Sequence, residues 1–160
     1  MHRTGLEDSI SISFRYFDST HSQTLDNSVN DFTKYFPIPA HYIYLGNLGN
    51  ASRSILFSPI TQPGWDAGFH AYDIYRFTLE DSKFYKTTRP FSMLGYQLAS
   101  GKEQMIKVMH TQNPRQNLNV GFDYRLITAP GFFITQNTNH SSFRLYGNYQ
   151  GKRKRYNASL

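Results

Sequence analysis

The chain has 160 residues, a formal net charge of +6 and no cysteine. Without cysteine, a disulfide framework, a cysteine-ligated zinc site and a thiol nucleophile are all excluded. Aromatic residues reach 16% while hydrophobic residues as a whole make up only 39%, so Val, Leu and Ile are scarce. This balance suits a surface that meets a membrane interface, where amphipathic rings are stable. An aromatic-rich soluble β-protein fits it as well.

No helical membrane span is predicted, because no apolar run reaches the roughly 18 residues that such a helix needs. Residues 1–9 carry Arg3, Glu7 and Asp8 and have no apolar centre, so they do not form a signal peptide. An exported protein needs one. We therefore expect either a cytosolic chain or a mature or truncated copy of an exported one.

Residues 1–90 combine short strand candidates with polar, turn-rich segments. Residues 9–17 alternate apolar and polar side chains and predict a strand, whereas residues 18–31 are polar and aperiodic and predict a long loop. Such loops fit extracellular loops, a periplasmic portion or a plug equally well. Further predicted elements are strands at 41–45 and 52–57, a turn at 46–50, a loop at 62–68, and one helical turn followed by an extended segment within 79–89.

Residues 91–160 predict a regular β-meander of five one-sided strands. The clearest is 117–126, in which ten residues alternate without a break, a length that suits a tilted strand crossing a bilayer (roughly 9–11 residues). The other predicted strands are 91–98, 103–110, 143–149 and a last one from 156, joined by turns at 99–102, 111–116 and 150–154 and by a loop at 128–141.

This alternation gives the predicted sheet two opposite surfaces, since successive strand residues point to opposite faces. In a membrane barrel the polar surface faces the water-filled lumen and the apolar one faces lipid. The candidate lumen-facing residues are Lys107, Asn117, Asn119, Asp123, Arg125, Arg144 and Asn148. The candidate lipid-facing residues are Leu118, Val120, Phe122, Tyr124, Leu126, Phe143 and Leu145.

Ordered landmarks over nearly the whole chain resemble the putative porin family of Bacteroidota outer membranes. In chain order they are Arg15-Tyr16-Phe17-Asp18-Ser19, the turn at residues 44–49, residues 68–75 and 84–90, Glu103-Gln104, His110-Thr111-Gln112-Asn113, residues 119–127, Pro130-Gly131-Phe132-Phe133, Asn139-His140 and Arg155-Tyr156-Asn157. The resemblance implies an all-β protein, an antiparallel meander forming part of a transmembrane outer-membrane β-barrel. It also implies export through a signal peptide, which we do not expect within residues 1–9, and a polypeptide longer than this one.

The domain prediction is a single domain in two parts, truncated at the C-terminus. Residues 1–90 are expected to hold N-terminal strands with long polar loops, in part a plug or periplasmic portion, and residues 91–160 the regular barrel strands. The chain stops inside the last predicted strand, and an unpaired sheet edge is a liability. We therefore expect the barrel to be incomplete in this chain.

No catalytic, cofactor-binding or metal site is expected, and the chain is not predicted to be an enzyme. Six histidines are present, but none has zinc-site spacing; the nearest approach to a cluster is His70 with Asp66 and Asp73. Glycoside hydrolysis needs two carboxylates that flank a cleft. The only candidate pairs are Asp66 with Asp73 and Glu80 with Asp81, and neither lies in a recognisable sequence motif.

The predicted function is passive diffusion of small polar solutes through an outer-membrane lumen, with lipid and solutes as partners and no nucleic acid. One alternative is a soluble β-sandwich or barrel that binds carbohydrate or nucleic acid. Its nucleic-acid platform would be Arg144, Tyr146, Tyr149, Lys152, Arg153, Arg155 and Tyr156. The other alternative is a structural or secretion-associated barrel with a plugged lumen, which would conduct no ions.

Overall fold

The computed structural model describes residues 11–17, 19, 21–25, 36–59, 63–151 and 155–160. These residues form an all-β, antiparallel structure, as predicted. The strands are β1 (Ile12–Tyr16), β2 (Gln23–Thr24), β3 (Tyr42–Tyr44), β4 (Ser52–Ser54), β5 (Lys83–Thr87), β6 (Phe91–Leu98), β7 (Gln104–Arg115), β8 (Leu118–Ala129), β9 (Thr138–Gln150) and β10 (Asn157–Ser159). Single 3-10 turns lie at Asp73–Tyr75, Ser100–Lys102 and Ile134–Gln136. The described residues contain no helix that is long and apolar enough to span a membrane.

The largest sheet has five strands in the order β10-β9-β8-β7-β6, so each strand pairs with its neighbour in sequence. This is the predicted antiparallel meander, and β6 has the predicted bounds. β6 and β10 lie at the two edges, and the sheet is open rather than closed into a barrel.

The boundary between β7 and β8 differs from the prediction. Residues 111–116 were expected to form a turn, but β7 continues to Arg115 and the turn shrinks to residues 116–117. The pairing register shifts between Gln112 and Arg115, and Pro114 lies inside this irregularity. A proline is tolerated there because the bulge interrupts the ladder in which its missing N–H would have been needed.

The following strands are also longer than predicted. β8 runs through Ala129, past the expected start of a loop at 128, and β9 begins at Thr138, five residues before the expected 143. The polar residues in these segments have no apolar alternation, yet they continue the ladder, with Thr128 opposite Asn139 and Ala129 opposite Thr138. Tertiary pairing therefore overrides the local pattern.

Two smaller sheets come from the first half of the chain. β1 pairs with β2 and with β5, and β3 pairs with β4. Two predictions here were wrong. β2 lies within the predicted long loop, because a two-residue strand carries no periodic signal, and β4 ends at Ser54, where the Ser54 hydroxyl accepts a hydrogen bond from Leu56 N at 3.1 Å. The part of the first predicted strand before residue 11 lies outside the described residues.

The glycines between β3 and β4 make the predicted turn possible. Gly46 and Gly49 have φ angles of 81° and 89°, which glycine adopts without a steric penalty. A Cβ atom on Gly49 would also lie 2.8 Å from the His140 ring. The turn is therefore packed directly against β9.

The apolar core lies between the N-terminal strands and the five-stranded sheet. One cluster contains Ile38, Leu48 and Tyr75 from the first half with Met105, Ile127 and Ala129 from the sheet. The other contains Phe84 and Tyr85 with Met109 and Tyr146. We call residues 12–16, 36–52 and 71–87 the covering layer, because they supply the side of this core that faces the five-stranded sheet. Burial of each large side chain contributes about 1.5–3 kcal/mol.

Candidate functional site

The five-stranded sheet has two chemically distinct faces. The pairing register places Met93, Met109, Asp123 and Arg144 side by side across β6 to β9, and their neighbours two residues away share that face. We call it the polar face. We call the opposite face the apolar face; across it Leu94, Val108, Tyr124 and Phe143 are in register.

The apolar face is uncharged and open. Within Ser92–Leu98, Gln104–Gln112, Leu118–Thr128 and Asn139–Tyr149, all of them described, its side chains include no Lys, Arg, Asp or Glu. Leu94 is 74% exposed and Phe143 65% exposed. All the predicted lipid-facing residues lie here: Leu118, Val120, Phe122, Tyr124, Leu126, Phe143 and Leu145. Leu94, Tyr96, Leu98, Ile106, Val108 and Tyr149 extend the same surface, and the alternation within β6 and β9 already signals them.

The polar face carries six of the seven predicted lumen-facing residues: Lys107, Asn119, Asp123, Arg125, Arg144 and Asn148. Asn117 does not belong to this row, because it lies in the tight β7–β8 turn, where its carbonyl oxygen accepts a hydrogen bond from Gln150 N at 2.9 Å. The polar face is not open to solvent. Asn119 and Asp123 are 4% and 5% exposed, because the covering layer lies on them.

Arg144 connects the sheet to the covering layer. On the sheet side it forms an ion pair with Asp123, its register partner on β8, with Nε 3.1 Å from Oδ2 and Nη2 on the same oxygen. On the other side its Nη1 donates to the Thr78 carbonyl oxygen at 3.2 Å and to Ser82 Oγ at 3.1 Å. This charge-assisted network gives the half-buried Arg144 guanidinium hydrogen-bond partners on both sides.

Arg125 makes the second charged connection. Its Nη2 donates to the Tyr75 carbonyl oxygen. The Arg125 and Arg144 guanidinium carbons lie 4.8 and 4.7 Å from the centroid of the Phe77 ring, within cation–π range. Phe77 therefore anchors this part of the covering layer to two cations of the sheet. Since Lys107 is the register partner of Arg125, these strands place three cations around the single carboxylate of Asp123.

Asparagines on the sheet satisfy backbone groups of β5. Asn119 Oδ1 accepts from Tyr85 N at 3.1 Å, and its Nδ2 donates to Thr111 Oγ1 at 2.9 Å. Asn113 Oδ1 accepts from both the backbone N and the Oγ1 of Thr87, each at 3.0 Å. Sequence reasoning missed Thr111 and Asn113, because both fall in the segment predicted to be a turn.

The same face is held at both of its ends. Near the β9–β10 end, Arg15 Nη2 donates to Asn148 Oδ1 at 3.0 Å. At the other end Asn47 Nδ2 donates to the carbonyl oxygens of Ala129 and Gln136 at 3.2 and 2.9 Å. Thr138 Oγ1 donates to the Leu48 carbonyl oxygen at 2.7 Å. The turn at 46–50 is therefore a docking element as well as a connection.

His70 is enclosed by the two carboxylates named from the sequence. Its Nδ1 lies 2.7 Å from Asp73 Oδ2 and its Nε2 lies 2.8 Å from Asp66 Oδ2. These hydrogen bonds raise the pKa of His70, Asp66 contributing most, and they lower the pKa of Asp73; the Gly68 backbone N–H contributes most to the lowered pKa of Asp66. No group of metal-ligating side chains is found among the described residues. Because both ring nitrogens are engaged, His70 forms an ionic clasp across this loop.

The remaining candidates do not form a common surface in the part of the chain that the structure describes. Arg144 and Tyr146 lie on the polar face, whereas Tyr149 lies on the apolar face. Lys152 and Arg153 of the proposed nucleic-acid platform lie outside the described residues. Glu80 and Asp81 occupy an exposed turn before β5.

An antiparallel meander with one uncharged, exposed face and one charged, covered face is the arrangement of strands in a porin-like β-barrel protein. The family described as "Putative porin" matches residues 12–160, and the chain belongs to this family. Its general role is therefore porin-like, which indicates a channel rather than an enzyme. Neither the curated proteins nor the solved structures give a match to this chain.

Proposed function

We propose that this protein is an outer-membrane porin that lets small polar solutes diffuse passively through a polar lumen. The observation that carries the proposal is the reversed exposure of the sheet. Leu94 and Phe143 are 74% and 65% exposed, while Asp123 is 5% exposed. A water-soluble sheet hides its apolar face, whereas a membrane sheet turns that face toward hydrocarbon.

Backbone chemistry supports the same proposal. Within hydrocarbon every N–H and C=O group needs a partner, so a chain can cross only as a helix or as part of a closed sheet. β7 and β8 have 12 residues each and β9 has 13, more than the roughly 9–11 that a tilted crossing needs. In the complete assembly the polar face then lines the lumen. Its excess of Lys107, Arg125 and Arg144 over Asp123 favours anions over cations of equal size.

The test uses the absence of native cysteine. Single cysteines at successive positions 119–126 carry a fluorophore, and the protein is reconstituted into vesicles that contain nitroxide-labelled lipid. We expect quenching at 120, 122, 124 and 126 and little quenching at the positions between them. Thr128, near the end of β8, serves as a depth control with weaker quenching. Equal quenching at even and odd positions would reject the assignment of the two faces.

The plugged, non-conducting barrel is the second candidate, and the burial of the polar face beneath the covering layer favours it. Planar bilayers separate the two, because a porin gives ion currents and a permanently plugged barrel gives none. The soluble alternative requires a partner layer over the apolar face. It predicts that the protein stays in solution in water without detergent and does not aggregate, which analytical ultracentrifugation measures.

A further inference from the structure

We propose that the covering layer is a displaceable plug, which closes the lumen at rest and must leave the polar face before solutes pass. This inference rests on the proposed function and adds regulation to it. Residues 12–16, 36–52 and 71–87 occupy the face that would line the passage, and both apolar clusters lie at that contact.

The contact is made by side chains and not by a continuous backbone ladder. In the described residues, none of the backbone–backbone hydrogen bonds joins the covering layer to the five-stranded sheet. The two parts form separate sheets. The layer can therefore leave without opening a single ladder bond of the strands that would cross the membrane.

The anchors are spread over the length of the polar face. Arg15 contacts Asn148 near one end, and Asn47 reaches the Ala129 carbonyl oxygen at the other. In the middle, Arg125 and Arg144 hold the backbone carbonyl oxygens of Tyr75 and Thr78. A hydrogen bond of this kind makes a modest net contribution to stability, and a larger one where one partner is charged. Together they seat the layer firmly, yet each can be replaced by water.

The contact also contains polar atoms that are not satisfied. Asp123 Oδ1 and Arg125 Nε are buried and have no hydrogen-bond partner within the described residues. A permanent core satisfies nearly all of its buried polar groups. Since water can reach these two atoms when the layer is displaced, their hydration offsets part of the free energy that displacement costs. Many anchoring contacts together with unsatisfied buried atoms are expected of a plug that can be displaced rather than of a permanent core.

A disulfide lock tests whether the layer must move. Thr87 Oγ1 and Asn113 Oδ1 are 3.0 Å apart across the contact, so Thr87→Cys with Asn113→Cys would tie β5 to the sheet. The control pair is Thr128→Cys with Asn139→Cys, register partners within the sheet. In planar bilayers, oxidation of the lock should lower ion current at least tenfold and reduction should restore it. The control pair should show no such change. Measurable currents that are equal for the oxidised and the reduced lock would overturn the plug.

Labelling gives a second readout that does not depend on conduction. Met109, 5% exposed beneath the layer, is changed to Cys and compared with Gln97→Cys, a half-buried position of the same face on β6. A water-soluble maleimide should react at least tenfold more slowly at 109. Phe77→Ala removes the covering-layer ring that contacts Arg125 and Arg144. It should raise the rate at 109 and leave the rate at 97 unchanged.

The two readouts separate the failure of each proposal. If no variant conducts but labelling at 109 is slow and is raised by Phe77→Ala, the plug stands and solute diffusion is wrong. If the wild type conducts and position 109 reacts as fast as position 97, diffusion stands and the plug is wrong.

Discussion

The two faces of the five-stranded sheet reverse the usual relation between polarity and exposure. On the apolar face Leu98 is 66% exposed and Leu145 58% exposed, whereas on the polar face Thr111 is 0% and Asn148 8% exposed. In a water-soluble protein the buried side chains are mostly apolar. Here polar side chains are buried, and both Thr111 and Asn148 are buried with a hydrogen-bond partner.

This difference shows that the two faces are specified by different means. The apolar face needs only hydrophobicity, because no side chain has to find a particular neighbour there. The polar face needs hydrogen-bond geometry, since a buried polar group without a partner costs about 1–3 kcal/mol. Asp123 with Arg144, and Asn119 with Tyr85, meet that requirement through residues far apart in sequence. The polar face should therefore be the less tolerant of substitution.

The largest effect is expected from breaking the ion pair on the polar face. Asp123→Ala leaves the half-buried Arg144 guanidinium without its carboxylate and should lower the free energy of unfolding by about 3 kcal/mol. The double variant Asp123→Leu with Arg144→Met removes both charges and should recover much of this loss. Urea unfolding of the reconstituted protein measures both. If the double variant loses as much stability as Asp123→Ala, the unpaired Arg144 cation is not the cause of the loss.

A smaller effect is expected from placing a charge on the apolar face. Phe122, in the middle of β8, stacks on Phe143 with ring centroids 6.2 Å apart. Phe122→Arg should destabilise the protein in phospholipid vesicles by about 2–4 kcal/mol if this face meets hydrocarbon. Gln112→Arg on the same face near the hairpin end should cost only about 0–1 kcal/mol. Equal costs at the two depths would mean that the face does not span a bilayer.

The smallest effect is expected at the His70 clasp, which lies outside both faces. The raised pKa of His70 means that its charged form stabilises this loop below its ordinary pKa, and that this contribution is lost as the pH rises through the folded-state value. The lowered pKa values of Asp66 and Asp73 remove their contribution only at acidic pH. Hydrogen exchange at residues 68–73 should therefore become faster as the pH rises through the folded-state pKa of His70, beyond the ordinary increase of exchange rate with pH. His70→Gln should remove that pH dependence, and its persistence in the variant would show that the clasp is not its source.

The sequence predicted the sheet well wherever apolar and polar residues alternate. The bounds of β6 and the two faces of β8 follow from local periodicity, since the pleat alone decides which side each residue takes. The ends of β7, β8 and β9 could not be predicted in this way. Thr111, Gln112 and residues 138–142 are polar, and they belong to strands only because a neighbouring strand pairs with them.

The site shows the same division. Alternation alone assigned Lys107, Asp123, Arg125 and Arg144 to one surface. It could not indicate Asn113, which reaches Thr87 only because a bulge at Pro114 interrupts the ladder beside it. Nor could it indicate that Phe77 would lie between two guanidinium groups.

Sequence by itself determined the fold class and the partition of the strands into an uncharged and a charged surface, because both depend on residues that are close together in the chain. It also determined the family, through short motifs that recur in order along the chain. Tertiary structure alone decided that the first half of the chain covers the charged surface. That outcome depends on contacts between residues such as Tyr75 and Arg125, or Asn47 and Ala129, which are 50 and 82 positions apart. Chain separation of this size leaves no periodic trace, since the partners meet only when the whole chain is folded.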